Sequence, residues 1–276
     1  MTQPTLQPPI ERLIALVRQS GKYAGISEEV IRRIGLRQLG SHRSLKDAVD
    51  ATKSKLHQVA GAYLDRRPPY AAWLESLRMG RAGGTESFQA ACHAVLAREH
   101  ASTRERADLL PTFYHRLLAD LPPIRTLLDI GCGLNPLALP WMPLAPEAVY
   151  HAYDIHTDLI AFLAEFFEIA GVPGAAHLSD AVGAPPEQPA DVALVLKVLP
   201  VLEQQDRTAS LALLRALNAP VLIVSYPTRT LGGRDKGMAA NYEAHFHALV
   251  NEEPWQVETF SFPNELCFLV TKPRSE

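Results

Sequence analysis

The chain has 276 residues, 47% apolar and 21% charged, a balance that suits a folded protein with interior for one large domain or two smaller ones and excludes overall disorder. No run reaches the roughly 18 to 20 apolar residues of a spanning helix, and the polar, proline-bearing start lacks the blocks of a signal peptide, so a cytoplasmic location is expected. The net charge of −3 hides an asymmetry: residues 1–110 hold 17 Lys and Arg against 11 Asp and Glu, whereas residues 111–276 hold 10 against 19. The first part suits a polyanion that the second would repel, although a merely solvated helical surface has the same charge. Cys92, Cys132 and Cys267 are odd in number and follow no ligand spacing, so buried free thiols are expected, with no disulfide and no metal site.

The first 110 residues read as helices joined by polar turns. Ser27 before Glu28-Glu29 is placed as an N-cap, with Ile26 and Ile31 as a staple, for a helix from about 28 to 39. From Ser44 onward, Leu45, Val49, Thr52, Leu56 and Val59 share one helical stripe, and Lys46, Asp50, Lys53 and His57 share its mostly basic neighbour. Arg66-Arg67-Pro68-Pro69 interrupts the pattern before helices near 70–79 and 86–99. Ser102 and Glu105 form a capping box, which starts a further helix near Thr103 that runs towards Ala119, with Pro111 placed to kink or divide it.

After Pro123 short apolar runs at 125–130, 148–153, 174–178, 191–196 and 220–225 alternate with helical stretches near 157–170, 203–217 and 238–250. This is the pattern of a doubly wound, mostly parallel α/β sheet. Runs at 255–262 and 265–271 are separated only by Pro263-Asn264, which is too short for a crossover, so an antiparallel hairpin should close the sheet.

The first strand ends in Asp129-Ile130-Gly131-Cys132-Gly133. Gly131 and Gly133 allow a tight turn and a close approach to a ligand at the carboxyl edge, where such sheets bind nucleosides. Position 136 is proline, so the dinucleotide fingerprint is absent. The second strand ends in Asp154, about twenty residues on, where a carboxylate can accept ribose hydroxyls. Asp180, past the third strand, can meet an adenine amino group or can be a solvent-facing loop acid. Lys197 ends the fourth apolar run, where an unpaired ammonium is costly, and should face the cleft unless it snorkels to the surface. The loop from Tyr226 to Met238 holds three basic residues and suits phosphate contact.

These stretches resemble the family of 16S ribosomal RNA guanine-N7 methyltransferases that act at guanine-1405 and confer aminoglycoside resistance. The resemblance rests on Gly21-Lys22-Tyr23, Arg32-Arg33, Leu56-His57, His100 to Arg106, Cys132 to Pro136, Asp154 to His156, Lys197 to Pro200, Pro227 to Gly232, Lys236 to Met238 and Asn264 to Leu266. It implies a class I (Rossmann-like) methyltransferase domain over 111–276 behind an α-helical RNA-docking domain over 1–110, acting on the 30S subunit with S-adenosylmethionine as cofactor and S-adenosylhomocysteine as product. The sequence does not fix the oligomeric state, and a monomer is expected. The implied cofactor pocket comprises His100, Ser102, Thr103, Arg106, Gly131, Gly133, Asp154, Ile155, Asp180, Lys197 and Gln205, with Arg106 on the methionine carboxylate. Lys197, Arg234, Lys236, Met238 and Glu265 are the implied target-side residues. Lys22, Arg32, Arg33, Lys46, Lys53, His57 and Arg229 are the implied RNA contacts. Two competing readings, a small-molecule methyltransferase and a noncatalytic RNA-binding protein, leave either the basic helical part or the Asp154 and glycine-turn pair without a task.

Overall fold

The structure is a computed structural model that describes residues 8–64, 68–98, 105–181, 183–203, 208–228 and 238–273, the side chains of 61–64 excepted. Helix α1 (Pro9–Arg18) is an element the sequence reading did not place. It opens with proline in its first turn, where the missing N–H has no intrahelical partner to lose, and it buries Leu13, Ile14 and Val17. Helix α2 (Glu28–Ser41) forms where expected, but the Ser27 side chain makes no cap bond. The Ser27 backbone N–H instead donates to the Ile155 carbonyl at 2.8 Å. Helix α3 (Leu45–Leu64) has the side-chain cap that α2 lacks: Ser44 Oγ accepts the Asp47 N–H at 3.1 Å and donates to the Asp47 carboxylate at 2.7 Å.

The helical part does not share one core. Helices α1 to α3 enclose their own cluster of Leu13, Val17, Ile26, Ile31 and Leu56, with Ile155 packed against it. Helices α4 (Tyr70–Ala82) and α5 (Thr85–Arg98) instead join the core on one face of the sheet. Tyr70 stacks on Phe162 at 4.8 Å between ring centroids, and Trp73 meets the same ring edge-on. Residues 105–107 are helical, the chain turns at 108–109, and α6 (Leu110–Leu118) begins afresh with Pro111 in its first turn. Proline starts this helix because its ring would clash with the preceding turn of a continuous one.

Among the described residues, seven strands form one sheet in the order β3-β2-β1-β4-β5-β7-β6. They are β1 (Thr126–Ile130), β2 (Val149–Asp154), β3 (Gly174–Leu178), β4 (Val192–Leu196), β5 (Val221–Pro227), β6 (Gln256–Phe262) and β7 (Glu265–Thr271). The first five run parallel, while β7 lies antiparallel between β5 and β6, and Phe262 pairs with Glu265 across the two-residue turn. Alternation along β1 sends Leu127 to the face covered by α4 to α6 and α7 (Thr157–Ala170). Leu128 and Ile130 go to the face covered by α8 (Leu199–Glu203), α9 (Ala209–Ala216) and α10 (Met238–Val250). The expected helix at 203–217 is thus α8 and α9, with 204–207 outside the described residues. A 3-10 stretch at Asn135–Trp141, also not expected, follows the glycine turn.

Candidate active site and cofactor pocket

Strand order reverses between β1 and β4, so the loops that leave their carboxyl ends diverge and open a crevice, the standard ligand position in a doubly wound sheet. Gly131 follows β1 with φ +61°, and a Cβ there would lie 2.8 Å from Val198 Cγ2. Both facts demand glycine. Gly133 also has positive φ, at +51°. A cavity of about 270 Å³ opens at this crevice, lined by Gly131, Asp154, Ile155, Asp180 and Lys197 among others.

Asp154 is buried, and four donors converge on it. Its Oδ1 accepts the backbone N–H groups of Ile155 and His156 and faces His156 Nδ1 at 2.8 Å, while Oδ2 accepts the Gly133 N–H at 3.0 Å. Burial opposes the charge, but hydrogen bonds from His156, Gly133 and Ile155 outweigh it and hold this carboxyl below the usual range. An ionised Oδ2 that receives one N–H retains a lone pair for a hydroxyl donor.

Lys197 is the non-glycine residue with positive φ, +60°, among the described residues. Its N–H donates to both the carbonyl and the Oγ of Ser225, which ties this strained residue to β5. The Nζ reaches Glu105 at 2.9 Å and Glu265 at 3.5 Å. It therefore both lines the cavity and enters a buried polar network. Arg106 makes a bidentate pair with Glu265, at 3.1 and 2.6 Å, and reaches Asn135 Oδ1 at 2.8 Å. Asn135 Nδ2 in turn donates to Asp129, which also accepts the Tyr150 hydroxyl at 2.6 Å. Burial pushes the Asp129 carboxyl up to about 6, even though the Tyr150 and Asn135 hydrogen bonds favour its charge.

The expected site residues thus separate into groups. Gly131, Asp154, Ile155, Asp180 and Lys197 surround one cavity. Arg106 and Glu265, expected on the cofactor carboxylate and on the target side, are interior and hold each other, because each neutralises a charge that burial would otherwise penalise. Arg33, expected on RNA, points inward at Asp180, and Arg32 pairs with Glu11 and Glu28. Asp180 accordingly faces an arginine and not solvent. Lys46 and His57 are exposed, Lys53 is half-buried, and Lys46 and Lys53 line a surface groove between α1 and α3. Lys22 is exposed beside Tyr70 and Asp158, and Met238 opens α10. His100, Ser102, Thr103, Gln205, Arg229, Arg234 and Lys236 lie outside the described residues. Sequence reasoning assigned no role to Asn135, Tyr150 or Ser225, since nothing in their spacing says that they bridge charged groups.

The buried Asp154 carboxylate, the apolar lining of the cavity and the glycine turn at the switch point fit an S-adenosylmethionine site, and with the antiparallel β7 they define a class I methyltransferase. Residues 19–269 match the family described as ribosomal RNA methyltransferase (FmrO). A 16S rRNA (guanine(1405)-N(7))-methyltransferase of Micromonospora echinospora is 35% identical over 99% of this chain and 100% of its own. Another of that name, from Frankia casuarinae, is 38% identical over 95% and 94%. Among solved structures, the 16S rRNA methyltransferase RmtF in complex with S-adenosyl-L-homocysteine superposes with a TM-score of 0.80 at 31% identity, covering 97% of this chain and all of that one. The chain belongs to the FmrO family of ribosomal RNA methyltransferases. The three cysteines are free and buried, as expected. Among the described residues no group of His, Cys, Asp and Glu is placed to hold a metal ion, and no helix is long and apolar enough to cross a membrane.

Proposed function

We propose that this enzyme methylates N7 of guanine-1405 of 16S rRNA within the 30S subunit, in the cytoplasm, and thereby protects the ribosome from aminoglycosides. The observation that carries the reading is the near full-length match to two relatives bearing that activity in their names, together with a cavity at the switch point that has the acid and glycines such a cofactor requires. S-adenosylmethionine supplies an electrophilic methyl group on a sulfonium.

The chain's own task is positioning. Guanine N7 has a free lone pair in its neutral form, so no residue has to remove a proton before transfer, and alignment of N7 with the methyl group accounts for most of the rate. Asp154 and the Gly131 to Gly133 turn fix the cofactor's nucleoside. The Lys197 backbone, locked to Ser225, shapes the wall beside it. The guanine is presented from outside the crevice, exposed or flipped from its stack. Residues 1–110 dock the subunit, with Lys46, Lys53 and His57 as its outward basic edge. Arg229, Arg234, Lys236 and Met238 are assigned to contact with the target RNA. The test is incubation of 30S subunits with methyl-labelled cofactor, followed by chemical cleavage at N7-methylguanine. Label confined to guanine-1405 supports the reading, and label elsewhere or in small molecules only overturns it.

A further inference from the structure

A groove of about 530 Å³ lies between α1 and α3 and shares no lining residue with the cofactor cavity. Leu16, Leu45 and Val49 give it an apolar lining. The core side of α1 is filled by Leu13, Ile14 and Val17, which leaves Leu16 at the edge, 38% exposed although large and apolar. Gln19 and Ser20, just past the end of α1, add an amide and a hydroxyl that can donate and accept hydrogen bonds.

Lys46 and Lys53 complete the groove. Seven residues apart on α3, they share one side of the helix about 10 Å from each other along its axis. Among the described residues no carboxylate pairs with either ammonium. The neighbouring Asp47 is engaged by the Ser44 cap, and Asp50 does not line the groove. Lys53 is half-buried, so its alkyl stem adds to the apolar wall while its charge stays at the rim.

A run of phosphates alone would use the lysines and leave the apolar lining idle. An apolar peptide would use the lining and strand two partly desolvated ammonium groups. A nucleotide whose base is out of its stack uses both, since its ring faces leave water against aliphatic carbon and its flanking phosphates meet the cations. In a ribosomal RNA methyltransferase this favours a nucleotide over an acidic peptide. We propose that the groove seats one nucleotide of 16S rRNA that the folded subunit holds out of its stack, with the base against Leu16, Leu45 and Val49 and the adjoining phosphates on Lys46 and Lys53. The inference rests on the reading of the helical part as the docking surface, and it adds a base contact to a charged edge.

Chemical probing of 30S subunits saturated with the full chain and S-adenosylhomocysteine tests this. Away from guanine-1405, one base should lose its reactivity towards base-modifying reagents when the native protein binds, and keep it at equal occupancy by Leu16→Asn. That variant should weaken 30S binding at least about fivefold with the salt slope unchanged, because no phosphate contact is lost. Leu16→Ala, a milder change at a partly exposed position, should weaken binding in the same direction, and unchanged S-adenosylhomocysteine affinity shows that both variants are folded. A photo-crosslinking amino acid at position 16 should capture 16S rRNA. Native affinity in both variants, no base protected by the native protein, or a crosslink to a ribosomal protein overturns the inference, while methylation of guanine-1405 in the same samples leaves the functional reading intact. A native protein that neither binds nor methylates 30S subunits overturns both.

Discussion

Arg106 and Glu265 stand 159 positions apart in sequence, yet they form a bidentate ion pair in which neither side chain is more than 4% exposed. The pair joins the segment before α6 to the start of β7. Lys197 and Ser225 converge on the same carboxylate, so β4, β5 and β7 are fastened together below the cavity. Burial disfavours the Glu265 charge, but Arg106 and Lys197 more than compensate and hold its carboxyl below the ordinary glutamate range.

Glu265→Gln should therefore be strongly destabilising, since removing one partner from a buried pair leaves the other's charge uncompensated, at a cost of about 3 to 5 kcal/mol. Urea unfolding at pH 7 measures this, and pairing the change with Arg106→Met should recover part of the loss. A loss below about 0.5 kcal/mol, the range of ordinary surface substitutions, would show that the network does not hold the sheet.

Asp129 should carry a stability term of opposite sign. Burial raises its carboxyl from 3.8 to about 6, so between those values the folded chain binds more protons than the unfolded one, and its contribution falls as pH rises through this window. Asp129→Asn cannot ionise. Its stability relative to the native protein should improve by on the order of 3 kcal/mol from pH 4 to pH 7, at about 1.36 kcal/mol per unit, and stay level above. Unfolding midpoints of both proteins at several pH values give the difference, and a flat difference would mean that Asp129 is not held protonated by its surroundings.

The strands were legible because their apolar runs alternate with helices and turn residues at regular spacing, and the Pro263-Asn264 hairpin was legible because two residues permit no crossover. The glycine turn and Asp154 were legible because their chemistry is local. Arg33 and Arg106 were not. An arginine's sequence context does not say whether an acid 147 or 159 positions away will meet it, and a basic count alone turns Arg33 outward to RNA. Helix α1 has no polar side chain to cap its start, and its proline, although compatible with a first turn, gives no helix signal of its own.

Asp154→Ala should weaken cofactor binding by about 1.5 to 3 kcal/mol, the contribution of a charged hydrogen-bond acceptor. The same change removes the acceptor for the Gly133 N–H, which disorders the turn that carries the close approach. Calorimetry with S-adenosylhomocysteine measures it, and unchanged affinity in a folded variant would remove Asp154 from the site.

Assembled 30S subunits should be methylated far better than a short hairpin that contains guanine-1405. The described helical surface offers a basic edge on α3 and no array of exposed aromatic rings for stacking single-stranded bases, so recognition must come from the folded shape of the subunit. Initial rates on the two substrates at equal target concentration decide this, and equal rates would show that the hairpin alone contains the determinants.

Docking and cofactor binding should separate at α3. Lys46 and Lys53 line a groove between α1 and α3 and do not line the cofactor cavity, whereas Val59, farther along the same helix, does. Lysine contacts to phosphate give sequence-independent affinity that falls with salt, each contact steepening the slope by roughly one. Replacing Lys46 and Lys53 by glutamate should therefore weaken 30S binding and flatten its salt dependence by about two units of slope, with S-adenosylhomocysteine affinity unchanged. Arg33→Met should leave the salt slope alone, because that guanidinium is turned inward to Asp180. If the double lysine variant bound 30S as the native protein does, the basic edge would be only a solvated face. If it lost cofactor affinity as well, α3 would have to be read as one rigid part of the cofactor site along its whole length.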